Sequence, residues 1–245
     1  MRRRVRLVGI VVAVSAGAAV LGACDFKERT TVTDDAVLAQ KISSVRLDST
    51  SGGVILRGHR TPGKVSLHRS IAYANDKPTG PTYEVAGGVL TLRGCGDDCS
   101  VTYTIDLPAG LPVSGRTSTG EIGLIDMGTI QVATTSGRIR LDQITGTVDV
   151  RTTNGQITGR GLRGGRIRAQ TSNGGIDLTS TTPQDIWAKT SNGSVTLTVP
   201  TGRYQVAARN SNGDKNLGVP NDPNGDHRLD ATTSNGAITF KIAAS

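Results

Sequence analysis

One short unit is written into this chain eight times, and its recurrence limits the architectures open to the sequence. The clearest copy is TSNGSVTL, Thr190 to Leu197. Related copies are TSTGEIGL from Thr117, TTSGRIRL from Thr134, TTNGQITG from Thr152, TSNGGIDL from Thr171, NSNGDKNL from Asn210 and TSNGAITF from Thr233, with STSGGVIL from Ser49 upstream. Anchored on Gly120, Gly137, Gly155, Gly174, Gly193, Gly213 and Gly236, the later seven are spaced by 17, 18, 19, 19, 20 and 23 residues. A period near 20 is the mark of a repeat architecture, in which each unit buries its apolar face against the next.

Within a unit the apolar residues alternate on both sides of the glycine. Around Gly193 they are Ile186, Ala188, Val195 and Leu197, and around Gly174 they are Ile167, Ala169, Ile176 and Leu178. Period-two alternation means strands. An Asn-Gly corner between them accepts the positive φ that a sharp change of direction needs. Two architectures satisfy this pattern: a solenoid of stacked strand–corner–strand rungs, or a meander of β-hairpins forming a sandwich. The solenoid is favoured because the corners repeat in chemistry as well as polarity. Asn154, Asn173, Asn192, Asn212 and Asn235 precede their glycines, and Thr stands three residues before the glycine in six of the eight copies. Stacked side chains of one kind can satisfy one another along the stack.

Residues 1–23 carry Arg2, Arg3, Arg4 and Arg6, then the apolar run LVGIVVAVSAGAAV, then small residues before Cys24. This is the pattern of a secretory signal peptide. Leu21, Gly22, Ala23 and Cys24 resemble a bacterial lipobox, which implies a lipidated Cys24 as the mature N-terminus, a membrane partner, and a place on the extracytoplasmic face. Without this segment 24 basic residues stand against 20 acidic ones, so the net charge falls from +8 to +4. Compositional support for a nucleic-acid partner falls with it. Residues 24–41 read as a polar tether and residues 42–245 as the β-strand-repeat domain. Cys95 and Cys99, in an exported chain, read as a disulfide at the tip of a hairpin joining Val89–Arg93 to Val101–Leu107.

Taken together, YTIDLPAGLPV running directly into TSTGEIGL, and the serial TSNG-type units behind a signal, resemble the toastrack group of bacterial adhesin-like β-strand-repeat proteins. The resemblance extends over roughly residues 42–242 and is strongest from Val101. It implies an elongated, single-stranded, right-handed β-helix-like domain at the cell envelope, and it brings no catalytic residues. Some relatives of this kind imply a sensor-type role in envelope-stress signalling.

If the alternating aliphatics point inward, the residue four before each glycine points outward, and that column holds Arg116, Arg151, Lys189 and Arg209. Arg168 and Trp187 fall in the adjoining outward column. These six form a candidate face for an anionic wall polymer or an envelope protein. His59, His68 and His227 stand in no catalytic motif, so no enzyme is expected; a β-helix glycan hydrolase or lyase is the enzymatic alternative. Asn221 to Asp226 offer oxygen ligands without the spacing of a calcium loop, so no metal or cofactor is expected. Lys215 replaces the aliphatic of its unit, which predicts a distorted coil or an outturned lysine. Nothing after the final unit covers its last strand, which predicts edge-strand self-association or cover from the N-terminal region.

Overall fold

The computed structural model describes residues 29–61 and 63–244, and among them every regular element is a β-strand. The chain opens with β1 (Thr30–Leu38), β2 (Ser44–Ser49), β3 (Val54–His59), β4 (Val65–Tyr73), β5 (Tyr83–Ala86), β6 (Val89–Arg93) and β7 (Cys99–Pro108). The regular repeats follow as pairs: β8 (Val113–Thr119) and β9 (Ile122–Ile125), β10 (Ile130–Ser136) and β11 (Ile139–Asp142), β12 (Val148–Asn154) and β13 (Ile157–Leu162). Next come β14 (Ile167–Gln170) and β15 (Ile176–Ser180), then β16 (Ile186–Lys189) and β17 (Val195–Val199). The last pairs are β18 (Tyr204–Asn212) with β19 (Lys215–Leu217), and β20 (His227–Asn235) with β21 (Ile238–Ile242).

The two strands of a repeat never pair with each other. The first joins a ten-stranded sheet and the second an eleven-stranded sheet, and the corner glycine carries the chain between them. Pairing is parallel and in register from one rung to the next: Ile130 lies between Val113 and Val148, and Val195 lies between Ile176 and Ile238. This excludes the hairpin meander for the repeats. Antiparallel pairing is confined to the N-terminal end, where β4 lies between β1 and β7 and where β5 pairs with β6.

A thin core fills the space between the sheets. Ile167, Ile176, Ile186 and Val195 are all buried, as the alternation requires. Each such side chain contributes about 1.5–3 kcal/mol by leaving water. Side-chain volume is shared out within rungs: those with small Ala188 or Ala231 in the first strand carry large Leu197 or Phe240 in the second. Gly159 stands where other rungs place Leu, and a register irregularity in β13 brings Leu162 against it.

The order of the rungs departs from the order of the chain at both ends. In the ten-stranded sheet the order runs β18, β20, β16, β14, β12, β10, β8, β2, β6, β5. The Gly236 rung therefore follows the Gly193 rung, and the Gly213 rung lies outside both. Likewise the upstream Gly52 rung is wedged between β8/β9 and β6/β7. The final strand β21 is thus covered by β19, not by a partner chain or the N-terminal region. Outermost position also explains Lys215. It takes the register place of Ile238 but is exposed, and no rung beyond it buries it.

Two further expectations change. β6 and β7 lie in different sheets, so the Cys95–Cys99 disulfide, with Cα atoms 5.8 Å apart, closes a corner between sheets and not a hairpin. Residues 30–38 of the segment read as a tether form β1, where Val32, Asp34, Ala36 and Leu38 alternate toward the interior. Asp34 in that set hides the pattern. At this end β4 and β5 cover β6/β7, the end rung. Cys24 and the signal segment lie outside the described residues.

Candidate functional site

The corners set the geometry of the surface because they hold every rung in one register. Asn212, Asn235, Asn192, Asn173 and Asn154 form a ladder in which each Nδ2 donates to the Oδ1 of the next at 2.8–2.9 Å. Beneath them Thr233, Thr190, Thr171 and Thr152 are buried, and each hydroxyl donates to a corner-glycine carbonyl at 2.9–3.1 Å. At Gly174, φ is +146°, and a Cβ there would run into the carbonyl of Gly155 one rung away. Only glycine lets the rungs approach this closely.

With inward residues fixed, the remaining strand positions form flat outward columns. On the ten-stranded sheet one column reads Arg116, Ala133, Arg151, Gln170, Lys189, Thr232 and Arg209 across neighbouring strands. The adjoining column reads Asp149, Arg168, Trp187 and Asp230. The six residues singled out from the sequence therefore share one face. At about 4.8 Å per strand, Arg116 and Lys189 stand some 19 Å apart.

The electrostatics of that face are uneven in a way the sequence does not reveal. Arg151 donates to both oxygens of Asp149 on its own strand at 3.2 Å. Arg209 and Arg228 both reach Asp230, whose side chain is only 10% exposed. Their charges are engaged locally. By contrast Arg116, Arg168 and Lys189 form no ion pair among the described residues, and Arg168 stacks on the half-buried Trp187 with its guanidinium carbon 4.1 Å from the ring centroid. Such stacking leaves the charge available while holding the side chain in place.

Elsewhere the polar chemistry is structural. His59 Nε2 lies 3.0 Å from Asp106 Oδ1, and Ser66 donates to Asp106 Oδ2 at 3.0 Å. A serine, a histidine and an aspartate are gathered here, but the serine bonds the carboxylate and not the imidazole, so no nucleophile is activated. The His59 contact, with Ser66 in support, holds the Asp106 carboxyl below the usual carboxylate range. In the Asn221–Asp226 loop the cationic place is taken by Arg203. Its Nε donates to Asp222 at 2.9 Å and its Nη2 to the Asn224 carbonyl at 2.8 Å, with Asp226 at 3.9 Å. No group of three or more His, Cys, Asp or Glu gathers in metal-binding geometry among the described residues.

Two parallel sheets joined by stacked Asn-Gly corners, closed inside and open along flat outer faces, define a β-strand-repeat solenoid. The toastrack resemblance read from its motifs holds. The chain belongs to the Toastrack DUF4097 family, whose model matches residues 100–245. A search of curated proteins finds no match. Among solved structures it is similar to a "putative cell adhesion protein" from Clostridium sporogenes, at 14% identity over 87% of this chain and 100% of that one, with a TM-score of 0.38. It is also similar to a "putative adhesin" from Bacteroides fragilis, at 14% identity over 86% and 97% with a TM-score of 0.44. A third, a "putative adhesin" from Parabacteroides merdae, shares 10% identity over 87% and 96% with a TM-score of 0.43.

Proposed function

We propose that this protein is a lipid-anchored, extracytoplasmic binding or scaffold module of the bacterial cell envelope, with no catalytic activity of its own. The observation that carries this reading is the set of cations that form no ion pair among the described residues, Arg116, Arg168 and Lys189, on the same flat parallel sheet as Trp187. The ligand that fits is an extended polyanion such as a phosphate-bearing wall polymer, which meets the cations in turn while Trp187 packs against its backbone. Anchoring through Cys24 would keep this face near the membrane. No helix among the described residues is long and apolar enough to cross a membrane.

The full chain in detergent, titrated with soluble poly(glycerol phosphate), tests the face. Binding is expected to weaken with salt, because exposed charges are screened. Arg116→Glu combined with Lys189→Glu should reduce affinity by about tenfold or more, a loss of roughly 1.4 kcal/mol. Arg151→Glu should matter less, since Asp149 already holds that arginine. Equal affinity in wild type and the double variant removes the face from the account. For the anchor, Cys24→Ala should release the protein or leave it unprocessed, and lipid labelling that persists in this variant would refute it.

A further inference from the structure

At the N-terminal end of the solenoid, β1, β4 and the loop leading into β5 line a half-open cleft of about 560 Å³ that the proposed function leaves unused. Its volume falls inside the range of roughly 300–1,000 Å³ typical of small-ligand sites. The cleft collects the rings of Tyr73 and Tyr83, together with Val32 and Ile71 and the loop carrying Lys77. Aromatic side chains are scarce here. Among the described residues Tyr103, Tyr204 and Phe240 are buried in the core, and Trp187 lies on the ten-stranded sheet. The two remaining described tyrosines, Tyr73 and Tyr83, both line this cleft.

The floor is a fixed polar frame. Arg69 forks onto Asp34, its Nε donating to Oδ1 at 2.9 Å and its Nη2 to Oδ2, while Nη1 donates to the buried Thr82 hydroxyl at 2.7 Å. The guanidinium also lies over Tyr83, 5.6 Å from the ring centroid, and the Arg69 side chain is only 17% exposed. Asp34 is itself 37% exposed, so the pair is held by its forked geometry and not by burial. The fork therefore orients Tyr83 without conformational loss on binding. Of the lining residues, neither tyrosine hydroxyl has a hydrogen-bond partner among the described residues, and Lys77 forms no ion pair there.

Aromatic rings lining one cleft together with unpartnered hydroxyl and ammonium groups match a molecule with an apolar face and a hydroxylated edge. That is the chemistry of a pyranose ring. A proline-rich peptide also packs on tyrosines, but it supplies no hydroxyls for these polar groups and asks for a drier floor than Arg69 and Asp34 provide. We infer that this cleft is a saccharide-binding site that takes a pyranose unit of a polysaccharide, separate from the cationic face.

The test is saturation-transfer NMR on the full chain in detergent, with maltotriose, the trimer of N-acetylglucosamine and trigalacturonate as probes and a proline-rich decapeptide for comparison. Transfer to the ring C–H protons of at least one sugar is expected. Tyr73→Ala should weaken that sugar about tenfold, and Tyr83→Phe, which keeps the ring, by less. Thermal unfolding of both variants checks that the fold persists, and Arg116→Glu with Lys189→Glu should leave sugar binding unchanged whether or not the polyanion reading survives. No transfer from any of the three sugars, transfer indifferent to both tyrosine variants, or binding of the peptide in place of the sugars overturns the assignment.

Discussion

Glycine at the corners is a requirement of distance as much as of dihedral freedom. Gly174 has the left-handed φ of +146° and faces the Gly155 carbonyl so closely that a methyl group has nowhere to go. Gly123 offers a control in the same fold, because a Cβ there meets nothing nearer than the Ile55 side chain at 3.6 Å. Gly174→Ala is therefore expected to destabilise the protein by more than about 1 kcal/mol, while Gly123→Ala stays within about 0.5 kcal/mol of wild type or gains stability. Chemical denaturation of the two variants side by side measures the difference. Much of this scale is legible in the amino-acid sequence, since the Asn-Gly pairs and alternating aliphatics name both the corner and the inward residues. The charges are less so. Arg151 and Lys189 look equivalent by register, yet only Arg151 has an aspartate two residues earlier on its own strand to absorb it.

Strands and their caps show a second kind of dependence. At the N-terminal end the hydroxyl of Tyr103, on β7, sits 2.5 Å from the Thr82 carbonyl and 2.8 Å from the Arg93 carbonyl, tying the end rung to the approach to β5. Burial pushes its pKa up to about 12 from 10.0. The folded state thus favours the neutral phenol. Stability from this preference is complete below pH 10 and is lost as pH rises through about 12; two pKa units correspond to roughly 3 kcal/mol. Tyr103→Phe should be less stable at neutral pH by about 1–3 kcal/mol and should show a shallower fall between pH 10 and 12. Unfolding midpoints across that range check both. At the opposite end the edge strand β19 carries Lys215 at the core-facing register position, where an aliphatic would continue the sticky interior outward. A lysine there opposes pairing with another chain, which bears on the self-association reading of this edge. The sequence marks this unit as aberrant through Lys215 and Asn210 but does not say why. The reason is that edge position is decided by tertiary pairing.

Over the whole molecule, local pattern determines what a rung is and leaves open where it sits. Each rung presents nearly the same aliphatic and Asn-Thr columns, so several neighbours would fit almost equally well. Two connections decide the outcome. The chain passes from β17 to the outermost β18 and returns from β19 to wedge β20 and β21 inside, and at the other end β2 and β3 are wedged in the same way behind β6 and β7. The aberrant Lys215 rung ends on the outside, where a broken pattern costs least, while the disulfide-corner rung ends the parallel stack beneath β4 and β5. The candidate saccharide cleft is invisible in the sequence for a related reason, since Tyr73 and Tyr83 belong to strands of different sheets and meet only because both cap the same end. The interleaved order is the claim on which surface columns, edge and cleft all depend. Paired cysteines test it most directly, because strand neighbours lie within reach of a disulfide and next-nearest rungs, at about twice the 4.8 Å strand spacing, do not. Full-length chain carrying Asn192→Cys with Asn235→Cys should form that crosslink on mild oxidation, as read by peptide mass spectrometry, and Asn192→Cys with Asn212→Cys should not. A crosslink in the second double variant with none in the first would show rungs stacked in chain order and contradict the account.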